Sequence, residues 1–244
     1  MRDLNIAEIQ ARFDKHQKLH EFEIDTLFDV KNLSKEQYRW LCKGYRHFTV
    51  FDIEAIGFDV RMGFMICWYA LRWDILTDKT EVIYDRLEEK DMKQNYKLQK
   101  MDFDTRILQS LSDELKQADI VVGHYIERFD LPYFNARCHQ TGQDDLTTEY
   151  LDARLQDTWK IVKKKYNLYN SGGNSLRNSG TVILKKDDKT SVNLDIWKTM
   201  YYKSHPKWKH CRKYICDHCE LDVWQNFELW KKIMKKVPVG GASI

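Results

Sequence analysis

The residue pattern predicts an α/β protein with a mixed sheet, in which strands come first and then alternate with helices. Three observations carry that prediction. A short, β-rich apolar run, HFTVFDIEAI over 47–56, is followed directly by two further strand-like runs. A second buried run, IVVGH, starts after Asp119 between segments of helical spacing. In the last long segment Ile215, His218, Asp222, Leu229 and Ile233 recur at steps of three, four and seven, which puts them on one helix face.

Taken in order, residues 1–45 are predicted helical. Ile6, Ile9 and Phe13 recur at helical spacing, and Ser34 with Glu36 and Gln37 resembles a cap opening a helix through Trp40 and Leu41. This extension carries no chemical motif and is expected to pack on the main domain or to receive a protein partner. The run 47–56 has the composition of a central strand covered on both faces. Residues 61–74 and 80–85 extend it into a meander, and 86–102 is read as a charged loop. Ile107, Leu108, Leu111 and Leu115 line one side of a helix over 103–118. After IVVGH, a helix is expected over 129–141, since Pro132 is tolerated in a first turn. A helix over 157–166, the loop NSGGNS at 170–175, a short helix or turn, and a strand or hairpin at 181–195 follow. Ser204-His205-Pro206 is expected to open a final helix running to about Met234.

Composition narrows the function classes. With 43% hydrophobic and 13% aromatic residues in 244, the chain has enough apolar material for a sizeable core, and 10 glycines and 3 prolines leave little for flexible linkers. No apolar run approaches the roughly 20 residues that span a bilayer, and the charged start lacks the apolar middle of a signal peptide. An intracellular, cytoplasmic protein without membrane contact is expected, with Cys42, Cys67, Cys138, Cys211, Cys216 and Cys219 as reduced thiols. The formal net charge of +3 is unevenly spread, for residues 156–213 hold 14 basic against 4 acidic side chains. Interleaved with Trp159, Tyr166, Tyr169, Trp197, Tyr201, Tyr202 and Trp208, that surplus suits a polyanion with stackable bases. Lysines that merely solvate helices are the plain alternative.

The acidic residues add chemistry. Asp52 and Glu54 stand two apart in a predicted strand and so project from one face. Two acids side by side on an apolar strand are costly unless neutralised, and a hard divalent cation prefers such oxygen ligands. A strand end emerging into solvent is the competing account. Asp130 follows a predicted strand and by itself reads as a helix cap. His218 and Asp222, one turn apart on a largely apolar face, read either as a structural pair or as a metal ligand with a proton acceptor beside it.

Together these segments resemble the DnaQ-like (DEDD) 3′–5′ exonuclease superfamily. FDIEA at 51–55 resembles its first motif, GHYIERFDLPYFNAR at 123–137 its G-x-N-x-x-x-F-D run, and HCELDVWQNFEL at 218–229 the Tyr-x-x-x-Asp motif of the DNA polymerase B-type proofreading branch. The resemblance implies an RNase H-like mixed five-stranded sheet flanked by helices over 46–236, after the N-terminal extension and before a tail at 237–244. It implies two divalent cations, Mg²⁺ or Mn²⁺, held by Asp52, Glu54, Asp130 and Asp222, and hydrolysis at the 3′ end of a single-stranded nucleic acid, with DNA favoured over RNA. His218 would accept or orient the proton of the attacking water, and Phe58, Phe129 and Tyr133 would be platforms for terminal bases. Asp157 resembles an accessory acid, though helix capping accounts for it more simply. Without a polymerase-sized extension, a stand-alone nuclease is expected. Two positions depart from the pattern: Tyr125 stands where the family usually has Asn, and His218 where this branch has Tyr. Another branch uses His five residues before the last Asp, where this chain has Asp217.

Beside a structural or partner-binding protein with the N-terminal helices as its interface, two rival readings remain. Cys211, Cys216, His218 and Cys219 contain a C-x-x-C pair, but one helix cannot wrap four such ligands tetrahedrally around zinc. A catalytically impaired nucleic-acid-binding module of the same fold is the other, suggested by Tyr125 and His218.

Overall fold

The computed structural model describes residues 11, 35–57, 59–96, 101–148, 151, 154–187 and 192–235. Of the helical extension expected over 1–45, residues 1–10 and 12–34 with the Ser34 cap lie outside the described residues, as do Phe58 and the tail at 237–244.

A five-stranded mixed sheet organises the chain, in the order β3-β2-β1-β4-β5. The strands are β1 (His47–Ile56), β2 (Phe64–Asp74), β3 (Lys79–Arg86), β4 (Ile120–Gly123) and β5 (Leu155–Asp157). β1, β2 and β3 pair antiparallel, whereas β4 runs parallel to β1 and β5 parallel to β4. The helices are α1 (Lys35–Cys42), α2 (Glu89–Tyr96), α3 (Thr105–Gln117), α4 (Asp130–Thr141), α5 (Thr158–Lys165), α6 (Leu176–Ser179), α7 (Leu194–Thr199) and α8 (Trp208–Lys235). This is the mixed α/β architecture, consistent with an RNase H-like fold, that the sequence predicts.

Alternation along β1 and β2 builds two cores. Phe48 and Val50 of β1 and Tyr69, Leu71 and Trp73 of β2 join Ile215, Val223 and Trp230 of α8 in one cluster. Phe51, Ile53, Trp68 and Ala70 join Ile107, Leu108, Leu111 and Leu115 of α3 and Phe134 of α4 in the other. Both faces of the central strands are therefore covered, which is why they read as continuous apolar runs. β3 forms the outer edge and is largely exposed, carrying Lys79, Glu81, Asp85 and Arg86, as edge strands that avoid further pairing do. Trp40 of α1 packs with its ring centroid 5.9 Å from that of Trp230, so the end of the N-terminal extension is part of the first core.

A fully buried ion pair fixes the start of β2. Arg137 of α4 gives two hydrogen bonds to Asp104 at 2.9 and 2.5 Å, and neither side chain reaches solvent. Asp104 also accepts the Met65 amide at 2.8 Å, while Arg137 donates to the carbonyls of Val60 and Met101 at 2.6 Å each.

Three expectations need correction. The segment 86–102 is not all loop, because α2 forms within it and Asp91 accepts from Arg106 of α3. Between 142 and 156 the sequence predicts no element, yet the three-residue strand β5 forms at Leu155–Asp157. The strand or hairpin expected at 181–195 is a π-helical turn (Gly180–Leu184) followed by α7, with 188–191 outside the described residues. The turn forms despite the β-branched Thr181, Val182 and Ile183, and Gly180 in it packs so close to Gln225 of α8 that an added Cβ would sit 1.7 Å from its Nε2. Among the described residues no helix is long and apolar enough to cross a membrane.

Candidate active site

β1, β4 and β5 run in the same direction, so their carboxyl ends share one edge, the usual ligand-binding edge of such sheets. Asp52 and Glu54 lie toward that end of β1, on the face that α8 covers. Opposite them the pairing slips between Glu54 and Ala55, since Glu54 faces Cys67 but Ala55 faces Met65. Such a bulge bends the strand and re-aims side chains, and bulges recur beside active sites.

α8 brings the third motif to this place. His218 Nε2 lies 3.7 Å from Glu54 Oε1 and 3.8 Å from Asp222 Oδ2, so one imidazole links the strand acid to the helix acid a turn away. Both His218 and Asp222 are buried. Asp130, the first residue of α4, is brought in from the other side. β4 pairs with β1 only as far as Val50, and beyond it the Ile53 amide donates to Asp130 Oδ1 at 3.3 Å. The helix-cap role expected for Asp130 is thus replaced by a bond to β1 between Asp52 and Glu54. Burial lifts the Asp130 carboxyl to about 7; the charges of Asp157 and Asp222 add to the rise and nearby amides oppose it.

Neighbouring groups hold these acids in place. The Trp197 indole donates to Glu54 Oε2 at 3.1 Å and its ring meets His218 edge-on at 5.7 Å. The sequence reading counted Trp197 among base-stacking aromatics, but it is a buried donor to the site. The Cys219 thiol points at the Asp52 carbonyl and carboxylate, 3.4 and 3.6 Å away. Asp157 does cap α5, accepting from the Trp159 and Lys160 amides at 2.9 and 3.4 Å, and it also holds the Tyr125 amide at 3.0 Å. Its Oδ2 is buried without a hydrogen bond, and burial raises its carboxyl. Tyr125, the departure from the motif, takes a left-handed backbone (φ 66°), which an aromatic residue adopts only under strain. Gly123 just before it has no room for a side chain, because a Cβ would lie 2.5 Å from Ile126.

The aromatic residues expected to touch bases separate. Tyr133 is buried in the second core, its hydroxyl 3.4 Å from the Ile56 carbonyl, so it is core rather than a base platform. Phe129 is half-buried at the rim, its ring 5.8 Å from that of Tyr133. Among the described residues, no three His, Cys, Asp or Glu side chains are arranged closely enough to hold a metal ion. That holds for the cysteines of α8 as well, of which Cys211, Cys216 and Cys219 are buried in the first core. The acids near the carboxyl ends of the strands are nonetheless of the donor type that hard cations prefer. Asp52, Glu54, Asp130 and Asp222 offer only carboxylate oxygens, and the rise of Asp130 reflects burial and surrounding negative charge that a cation would offset.

No family model matches the chain, and no curated protein matches it. Among solved structures, its fold is similar to that of the family B DNA polymerase from the hyperthermophilic archaeon Pyrobaculum calidifontis, with a TM-score of 0.54 at 16% identity. The match covers 78% of this chain and 24% of that one. The chain thus spans about a quarter of the polymerase, and at this identity the likeness concerns the fold.

Proposed function

We propose that this chain is a metal-dependent 3′–5′ exonuclease of the DnaQ-like type that shortens single-stranded nucleic acid, DNA in preference to RNA. The observation that carries the reading is the meeting of three distant segments: Asp130 bonds to β1 between Asp52 and Glu54, and His218 lies within 4 Å of both Glu54 and Asp222. A fold shared with a chain that is a DNA polymerase supports it.

Asp52, Glu54, Asp130 and Asp222 would hold two ions of Mg²⁺ or Mn²⁺. When bound, such ions supply an acidified water and charge stabilisation for a leaving 3′-oxygen. The chain's own groups do the rest. Asp130, whose carboxyl burial raises to about 7, would have to be deprotonated to serve as a ligand. Glu54 could serve as a ligand while its Oε2 accepts from Trp197, since a carboxylate has room for several partners. His218 Nε2 lies within 4 Å of two carboxylates, where the imidazole could accept or orient the proton of a water.

The test is incubation of the full chain with 5′-labelled single strands of DNA and RNA, with Mg²⁺, Mn²⁺ or chelator. Stepwise shortening from the 3′ end that stops in chelator is expected. Retarded but unshortened strands would instead assign the non-catalytic binding module.

A further inference from the structure

Beside the carboxylates lies an aromatic and cationic surface that the proposed chemistry does not use. Trp159, on the first turn of α5, is partly exposed, and Lys163 Nζ sits 4.8 Å from its ring centroid. Arg128 approaches the same ring at 5.8 Å, and the half-exposed Tyr125 ring meets it edge-on at 5.1 Å. A shallow, open depression of about 470 Å³ lies here, lined by Trp159, Lys160, Lys163, Lys164 and Asn167.

We propose that this surface is a second subsite on the enzyme, which holds one unit of a single strand upstream of the cleaved end by stacking a base on Trp159 and pairing its phosphates with Lys163 and Lys164. The inference rests on the nuclease reading for its orientation, and on the surface itself for its ligand. Lysines in the last turn of a helix also favour the helix dipole, which would account for Lys163, Lys164 and Lys165 alone. It does not account for an indole at the opposite end of the same helix with cations gathered over it. Lys160 is paired with Glu127, whereas Lys163 and Arg128 are directed at the ring. A partner with anions alone would need only the lysines, but bases between phosphates use both features.

One carboxylate ties this surface to the candidate site. Asp157 Oδ1 accepts the amides of Tyr125, Trp159 and Lys160, which fixes both aromatic residues, and the charge of Asp157 is felt at Asp130. The left-handed backbone of Tyr125 is held by that bond, so a strained residue presents its ring to Trp159 at the border of the acidic cluster.

Binding of a fluorescein-labelled thymidine 15-mer, and of a 15-mer with the same backbone but abasic sugars, separates the two features when followed by anisotropy in chelator. Trp159→Leu is expected to weaken the thymidine strand about tenfold and leave the abasic strand nearly unchanged, while Trp159→Phe keeps most of the affinity. Lys163→Glu/Lys164→Glu is expected to weaken both strands and to flatten the log–log salt dependence by about 1.4. Melting curves of all three variants check that they fold. Thymidine binding within about twofold of wild type in Trp159→Leu and in the double variant would overturn the proposal, as would equal losses on both strands in Trp159→Leu. Because the assay needs no hydrolysis, it reads the surface even if metal-dependent cleavage fails, and normal cleavage with unaltered binding would sink the subsite alone.

Discussion

Ile53, the residue between the two acids of β1, donates its amide to Asp130 Oδ1 across 77 positions of sequence. Bond and acids make one unit: the strand amide that β4 is too short to reach is satisfied by the first residue of the helix that follows β4. A buried amide must find a partner, so the sheet geometry that ends β4 at Gly123 is also what draws Asp130 toward Asp52 and Glu54.

Replacing an acid of this unit should remove activity without unfolding the chain. Asp52→Ala and Asp222→Ala each delete a proposed ligand and relieve crowding among like charges. A loss larger than the roughly 10–100-fold that follows from disturbing an outer-shell partner is expected, with melting temperature unchanged or raised in chelator. Variants that unfold, beside wild-type cleavage that ignores chelator, would make the acids structural.

The metal-free protein should lose stability as pH rises. Asp130 is lifted from 3.8 to about 7 in the folded chain, so the folded state binds the proton more tightly than the unfolded one. Its contribution is therefore fully present below about pH 4 and lost as pH rises through 7, a change on the order of 2–4 kcal/mol. Chemical denaturation in chelator between pH 5 and 8 measures it, with Asp130→Asn expected to flatten the profile. An unchanged slope in Asp130→Asn would contradict the assignment.

Trp197→Phe keeps the ring beside His218 but deletes the donor to Glu54 Oε2. A bond to a charged acceptor contributes about 1.5–3 kcal/mol, so a stability loss near the lower end is expected in chelator. Outer-shell donors orient metal ligands, so Mn²⁺ affinity should fall about tenfold by calorimetric titration. Unaltered affinity would show that the indole is only packing.

His218→Tyr should keep cleavage while shifting its pH profile, because a phenol ordinarily holds its proton far more tightly than an imidazolium does. An inactive enzyme that still loads metal would show that the site demands the imidazole.

The Arg137–Asp104 pair should be among the costliest to break. Arg137→Leu leaves a carboxylate buried without its cation and two carbonyls without their donor, and a loss of about 3–5 kcal/mol is expected from urea unfolding. A loss below about 1 kcal/mol would mean that the chain relaxes to let water reach Asp104.

Much of this was readable in advance, for identifiable reasons. β1 matches the run 47–56 because a strand buried on both faces leaves an uninterrupted apolar signature. α3 and α8 were legible from their periodicity, and the same spacing placed His218 and Asp222 on one face. β5 was not, since three residues are too few to show a period of two. Residues 181–184 read as strand from their β-branched content, but they continue α6, which Ser175 caps, as a π-helical turn. In the site, the acids were visible as spacings, but Trp197 was not: its bond to Glu54 spans 143 positions and leaves no local trace. Tyr133 looked like a base platform because its motif neighbours suggested one, whereas its position in α4 turns it into the core.

Crystals of the chain soaked in Mn²⁺, with anomalous scattering recorded, put the proposed ion site to its most direct test. Two peaks about 4 Å apart, bounded by Asp52, Glu54, Asp130 and Asp222, are what the proposal predicts. Peaks that lie elsewhere, or none at the sheet edge at saturating Mn²⁺, would contradict it.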